Sequence, residues 1–349
     1  MNHDLLSRRH RPTFFVVLTT CLVLAMAWAA STGAVGIPFK DVLGLFLAKF
    51  NLFNPVDVSG QHESVLWNLR IPRVLFAALI GAVLAVSGGI LQGLFRNPLA
   101  DPALIGVSSG AAVGAVAVIM MGHLIPGIGS GWALPLAAFM GAFLTTWSVH
   151  RLATVDGSTS SATLLLGGIA INALAGAVVG YCSFAASDAQ LRSLTFWLLG
   201  SLGTASWGTL AACAPFCILT LTLAPRFARA LNALSLGEAE ARHLGFQPDR
   251  VKKGLVFLVA IGVGACVAHT GMIGFIGLVT PHLVRLVIGP DHRWLFSASA
   301  LFGAILMVVS DAVARIIVIP AELPVGIVTA AGGAPFFLWL LWQQRRRML

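Results

Sequence analysis

GLVFLVAIGVGACVAHTGMIGFIGLVTPHLV, residues 254–284, runs for 31 residues without one Asp, Glu, Lys or Arg. A helix needs about 20 apolar residues to cross a bilayer, so this run is long for one crossing and short for two. The flanking charges decide. Upstream, residues 225–253 carry Arg226, Arg229, Arg242, Arg250, Lys252 and Lys253, and downstream stand Arg285 and Arg293. Loops rich in Lys and Arg stay on the cytoplasmic side, so both flanks share one side and an even number of crossings separates them. Two short spans are therefore predicted, with a break near His269–Gly271.

The other charge-free windows are Phe14–Ile37, Val74–Phe95, Pro102–Val149, Gly157–Ser187, Ser193–Pro225, Trp294–Ser310 and Leu323–Gln344. Pro102–Val149 is too long for one helix, and its centre, GHLIPGIGSGW at Gly122–Trp132, reads as a turn. The total is ten spans in an all-α polytopic membrane protein, with both termini cytoplasmic. On that topology sixteen of the 22 basic residues fall inside, and Lys40, Lys49, Arg70, Arg73, Arg192 and Arg315 remain outside. Composition agrees: the 349 residues are 58% hydrophobic and 10% charged, whereas soluble domains run near ~25% charged. That excludes a soluble enzyme, a secreted disulfide scaffold, a disordered chain and an ordinary nucleic-acid binder. The net charge of +9 reports topology rather than an affinity for nucleic acid. Arg8, Arg9 and Arg11 before the uncharged Pro12–Phe39 run resemble a signal peptide, but the run exceeds a signal core and is read as an uncleaved first helix. The five cysteines all lie in apolar stretches without a CxxC pair and read as small hydrophobes. The chain is taken as one membrane domain, residues 1–349.

Residues 225–253, PRFARALNALSLGEAEARHLGFQPDRVKK, form the one extended polar stretch within the membrane body. Ser235 and Glu238 have the spacing of a capping box, and Gly245 is placed to end a short helix. Such a helix lies on lipid or serves as a docking knob; Glu238 and Glu240, disfavoured against an anionic leaflet, favour the knob. The chain has no P-loop: none of its four lysines follows a glycine, and phosphate cradling needs the GK[ST] pattern. An ion-coupled carrier needs ionisable groups within spans. The candidates are Asp311, His150, His269 and His282, and Asp311 sits four residues before Arg315, the spacing of a helical ion pair. No HExxH metalloprotease pattern is present.

Four strings, in order, resemble a known family: Arg70–Gly114 (RIPRVLFAALIGAVLAVSGGILQGLFRNPLADPALIGVSSGAAVG), Leu234–Gly245 (LSLGEAEARHLG), Ile273–Arg285 (IGFIGLVTPHLVR) and Glu322–Leu341 (ELPVGIVTAAGGAPFFLWLL). They resemble the permease subunit of binding-protein-dependent ABC importers for iron-siderophores, haem and cobalamin. The resemblance implies the large, ten-span (type II) importer fold, a homodimer with the pathway at the subunit interface, and residence in the bacterial inner membrane. Partners implied are a second copy, two ATPase subunits that bind ATP and Mg, and one periplasmic binding protein; no cofactor or metal is bound by this chain. Residues Leu234, Ser235, Leu236, Gly237, Glu238, Ala241, Leu244 and Gly245 match the family's coupling helix, within the cytoplasmic loop 225–253. Arg70 and Arg73 in RIPR, and Arg315 in DAVAR, match the arginines that dock the binding protein; the alternative is that they snorkel at the interface. Ser160, Ser161 and Ala162 match the inner gate, though the family often shows Ser-Thr-Ser there. Leu166, Gly167 and Asn172 lie on the span that lines the pathway in the family. Gly81, Gly88 and Gly89 read as close-packing positions. The strings Gln92–Ala112 and Arg192–Gly203 look closest to haem permeases. His269, at the outward break, is a candidate haem contact or a helix-end His bonded to backbone. His282 belongs to a family-wide Thr-Pro-His string and does not discriminate.

Overall fold

The computed structural model describes residues 11–33, 35–49, 59–122 and 131–348. Arg8, Arg9 and most of the turn expected at Gly122–Trp132 lie outside the described residues. The helices are α1 (Arg11–Ser31), α2 (Phe39–Lys49), α3 (Gly60–Val65), α4 (Ile71–Leu94), α5 (Val107–Met121), α6 (Ala133–Leu152), α7 (Ser161–Ala185), α8 (Asp188–Leu199) and α9 (Trp207–Leu223). There follow α10 (Ala228–Leu236), α11 (Glu238–His243), α12 (Pro248–Thr270), α13 (Ile276–Ile288), α14 (His292–Ile316) and α15 (Val325–Met348). A two-stranded hairpin, β1 (Thr154–Val155) and β2 (Ser158–Thr159), precedes α7.

Among the described residues, seven helical stretches are long and apolar enough to cross a membrane, and the shorter Val107–Met121, Ile276–Ile288 and Val325–Trp339 are apolar as well. Together they make the ten crossings expected. The decisive window divides where predicted: α12 stops at Thr270, Gly271 takes φ +70°, and α13 starts at Ile276 after Phe275 at φ +69°. A positive φ is costly for a bulky side chain, so this break is held in place by its surroundings. With 13 residues, α13 is only about 20 Å long. Its irregular lead-in is tolerated at membrane depth because protein, not lipid, surrounds it: α13 packs on α4, α14 and α15.

Two boundaries differ from the sequence reading. The window Ser193–Pro225 is not one helix. Gly200 at φ +70° ends α8, and Ser206 opens α9 with a capping box to Thr209; α8, at 12 residues, is too short to cross. The window from Gly157 also starts too early, because Asp156 (φ +48°) and Gly157 (φ +77°) form the tip of the hairpin. An Asp-Gly pair supplies the two left-handed residues of a tight hairpin turn.

The core is built around α4, buried along nearly its whole length and packed on α9, α12, α13 and α14. Its glycines set the spacing. A Cβ on Gly81 would strike the Gly303 carbonyl, and one on Gly88 the Gly277 carbonyl, whereas one on Gly89 would sit 3.5 Å from Phe296 and Pro281. Gly88→Ala is therefore expected to lower stability by about 1–3 kcal/mol, the usual cost of overpacking. Gly89→Ala should be nearly neutral. Thermal unfolding in detergent, followed by size-exclusion chromatography, checks the pair.

Successive crossings reverse direction. Arg96, Arg151 and loop 225–253 thus fall at one end, and Lys40, Lys49, Arg70, Arg73, Arg192 and Arg315 at the other.

Candidate functional site

At the first end, α10 and α11 form a projecting knob. Leu234 and Ala241 are buried and fix it to the body, while Leu236 and Leu244 are 67% and 60% exposed. Beside them Ser235, Glu240, Arg242 and His243 are exposed too. The capping box expected from Ser235 and Glu238 is not formed. Ser235 lies in the last turn of α10 and its hydroxyl donates back to the Asn232 carbonyl at 2.6 Å, so Gly237 takes the N-cap of α11. Gly237 needs φ +138°, and a Cβ there would strike the Glu240 carboxylate. Gly245 does end the helix as expected. At φ +86° it lets Phe246 N–H reach the Ala241 carbonyl while its own N–H reaches Arg242, which is the Schellman closure.

Glu238, free of a capping role, meets Lys252 on α12: Nζ donates to Glu238 Oε1 at 2.6 Å and to the Thr159 carbonyl at 2.6 Å. Lys252 is 2% exposed. Beside it, Asp249 accepts from Thr159 N–H at 2.8 Å and pairs with Arg242 at 3.4 Å. The first turn of α12 thus fastens knob and hairpin together. On the other flank, Asn232 donates to Asp291 at 2.7 Å and accepts from the His292 N–H at 3.0 Å, joining α10 to the start of α14. Hydrogen bonds from Arg293, and secondarily from Asn232, hold the Asp291 carboxyl down at about 2.

The hairpin leads straight into the expected gate. Ser160 caps α7, its Oγ accepting from Thr163 N–H at 3.2 Å, with Ser161 and Ala162 in the first turn. Leu166 is 67% exposed; Gly167 beside it is half-buried, and a Cβ there would lie 3.7 Å from Val149 of α6. Asn172 is differently employed. Its amide donates to the Ala103 carbonyl at 3.0 Å and accepts from Ser109 Oγ at 2.6 Å, bracing α7 against α5 and the turn before it.

At the opposite end Arg70, Arg73 and Arg315 converge, but as internal braces rather than free forks. Arg70, delivered by a π-helical turn at Leu66–Arg70, donates to the carbonyls of Ala30, at 2.7 Å, and Val35. Arg315 donates to those of Thr32 and Ala29 at 2.7 and 2.9 Å. Helix α1 has no basic residue in its last turn. These two guanidiniums supply the cationic partners that helix C-terminal carbonyls favour. Arg73 grips Asp311 through Nε and Nη2, at 3.0 and 2.9 Å, and meets Glu322 at 2.9 Å. Asp311 also pairs with Arg315 at 3.1 Å, the i,i+4 ion pair expected. Of these partners Glu322 alone is well exposed.

Residues 21–343 match the FecCD transport family. The chain belongs to that family. Over 334 residues, 96% of each sequence, this FecCD chain is 47% identical to the hemin transport system permease protein HmuU of Yersinia pestis. It is 44% identical over 292 residues to the cobalamin import system permease protein BtuC of Halobacterium salinarum, covering 84% of this chain and 77% of the relative. A metal-chelate type ABC transporter, solved in an inward-facing conformation, superposes with a TM-score of 0.80 at 31% identity, covering 95% of this chain and 99% of that one. The FecCD chain is an ABC transporter permease, a transport subunit. Permeases of this kind work with ATPase and substrate-binding subunits and form dimers.

Two further positions bear on function in the FecCD chain. His269, near the end of α12, places its ring edge-on to Phe76 and Trp132, at 6.5 and 6.3 Å between centroids, and its carbonyl accepts from Thr204. The string Gly106–Gly110 (GVSSG) matches GxSxG formally, but a nucleophile elbow needs a strand before the turn. Here a 3₁₀ turn, Pro102–Ile105, precedes α5, and the motif serine, Ser108, lies within the first turn of that helix rather than on a strand-to-helix elbow. Sequence reasoning missed Lys252 as a connector and Asp311 as the anion shared by Arg73 of α4 and Arg315 of its own helix. The first had no local signal, since Thr159 lies 93 residues away; the second showed only as half of a pair.

Proposed function

We propose that this chain is the homodimeric permease of a binding-protein-dependent importer that carries haem from periplasm to cytoplasm. Two ATPase subunits, with ATP and Mg, drive it from below. Loop 225–253 and both termini face the cytoplasm of a bacterial inner membrane, and the whole chain acts as one membrane domain. The observation that carries the reading is the Lys252 junction, which ties an exposed knob suited to a partner's cleft directly to the hairpin that caps the gate helix. Displacement of Leu236, Glu240 and Leu244 by an ATPase would move Thr159, and with it Ser160, Ser161 and Ala162. The pathway follows the open face of α7 at Leu166 and Gly167, against the second copy.

The arginine rim is the docking face in this proposal, with a modification. Arg70 and Arg315 hold the rim rigid, and Arg73 is the group a binding-protein carboxylate reaches, by competing with the exposed Glu322. Haem as cargo is supported by the hemin permease of Yersinia pestis; the cobalamin permeases at slightly lower identity support the second reading. His269, flanked by two aromatic rings at the rim end, suits a flat iron-bearing ligand in passage.

The test is reconstitution of the chain with its ATPase and binding protein in vesicles, offering hemin, cobalamin and a ferric siderophore side by side. ATP-dependent hemin uptake well above the other two is expected. Preference for cobalamin or the siderophore transfers the cargo assignment, and uptake that follows a proton gradient without ATP overturns the importer reading.

A further inference from the structure

Away from knob, hairpin and rim, three thiols meet inside the membrane body. Cys213 and Cys217 stand four residues apart on α9, hence on one face, and Cys266 comes from α12, which packs against it. The Sγ atoms are 3.4 Å apart for Cys213–Cys217 and 3.9 Å for Cys217–Cys266, and all three lie within 4.8 Å of one another. All are free thiols with no exposure. Among the described residues this is the one place where three potential metal-ligand side chains converge so closely.

The spacing fits an ion rather than a bond. A disulfide would bring two sulfurs to about 2.05 Å. Three sulfurs arranged around one cation at about 2.3 Å stand about 4 Å from each other; the separations of 3.4 and 3.9 Å lie at or a little below that value, and all three sulfurs stay within 4.8 Å. The frame is already close: a Cβ on Gly262 of α12 would meet Thr220 Oγ1 of α9 at 2.5 Å, and the Thr220 hydroxyl is held by the Phe216 carbonyl. The two helices touch one turn from the cluster, so little rearrangement is needed to close it.

We propose that Cys213, Cys217 and Cys266 form a binding site for a soft monovalent cation, Cu(I). An all-sulfur ligand set selects soft ions and offers nothing to Mg or Ca, which require oxygen. Charge selects further, because a net charge in a low-dielectric interior is costly. Cu(I) replaces a single thiol proton: one S–H bond breaks, the proton leaves, one thiolate–copper bond forms, and two neutral thiols complete the shell. The cluster stays neutral and no oxidation state changes. Zn²⁺ would have to displace two protons, and its closed sites take four ligands where three are offered. Filling the site fastens α9 to α12, the helix whose first turn holds Lys252 and Asp249. The assignment is independent of the importer's cargo.

The experiment uses the purified full chain, reduced and anaerobic, titrated with Cu(I) against a chromogenic Cu(I) chelator. One Cu(I) per chain is expected to resist the chelator, with a sulfur-only shell in X-ray absorption. Cys217→Ser, which removes the sulfur shared by both short contacts, should weaken retention at least tenfold, while Cys21→Ser and Cys182→Ser should leave it unchanged. Zn²⁺ at the same concentration should be retained less than a tenth as well. Absence of retained copper, retention unaltered in the Cys213→Ser/Cys217→Ser/Cys266→Ser variant, an oxygen or nitrogen shell, or a Cys217–Cys266 disulfide in the purified protein would each overturn the proposal. The absorption spectrum needs no variant, so a misfolded mutant does not decide the matter.

Discussion

Asp311→Asn is expected to destabilise the chain more than any other single change at the rim. The Asp311 carboxylate is 1% exposed and receives Arg73 from α4 and Arg315 from its own helix, with Arg70 close by on the same carbonyl-lined floor. Neutralising it leaves buried guanidiniums without their shared anion. Stranding one partner of a buried ion pair costs on the order of 3–5 kcal/mol, far more than the intact pair contributes. The amide keeps the shape of the carboxylate, so the loss reads charge rather than volume. A double change that removes a cation together with the anion, Asp311→Asn with Arg315→Met, should recover part of the loss. Arg315→Met alone should be costly, because the Ala29 and Thr32 carbonyls at the end of α1 lose their donor. Thermal denaturation of the four proteins in one detergent completes the cycle. If Asp311→Asn unfolds with the wild type, the rim network has no structural weight and the three arginines are available for docking after all.

What could be read from the chain beforehand follows a physical division. The bilayer imposes a length and a charge rule, so the break at His269–Gly271, the count of crossings and the sharing of basic residues between two ends were all legible. Glycines gave close contacts, and the structure separates Gly81 and Gly88, which touch a carbonyl, from Gly89, which does not. Local rules failed where a distant partner competed for the same side chain. Glu238 has capping-box spacing with Ser235, yet a buried ammonium attracts a carboxylate more strongly than a backbone N–H does, and Lys252 takes it. Asn172 sits on the expected pathway helix but spends its amide on Ala103 and Ser109. The hairpin before Ser160 carries its own local signal, the Asp156-Gly157 turn pair, at the edge of the charge-free window. The rim arginines converge at one end of the bundle, and their inward direction depends on the carbonyls that α1 leaves open.

The largest functional effect is expected at Lys252. Lys252→Met retains the aliphatic stem that packs among α12's neighbours and deletes the ammonium, releasing both Glu238 on the knob and Thr159 on the hairpin. Hydrogen bonds to a charged group contribute about 1.5–3 kcal/mol each, and a coupling free energy of that size corresponds to roughly ten- to hundredfold. The knob keeps its own supports: buried Leu234 and Ala241, the Schellman closure at Gly245, and Asn232 bound to Asp291. The partner ATPase should therefore still assemble and hydrolyse ATP within about twofold of the wild-type rate. Movement of the knob would then pull the hairpin only through the longer Arg242–Asp249 contact and the Thr159 N–H, a weaker path. Uptake should fall at least tenfold, so the number of substrate molecules imported per ATP hydrolysed collapses. Lys252→Arg, which keeps a cation able to reach two acceptors, should restore part of that ratio. A lysine needed only for folding gives another result: protein yield, hydrolysis and uptake decline together and the ratio stays constant. Measuring uptake and hydrolysis in the same vesicles distinguishes a transmission element from a prop.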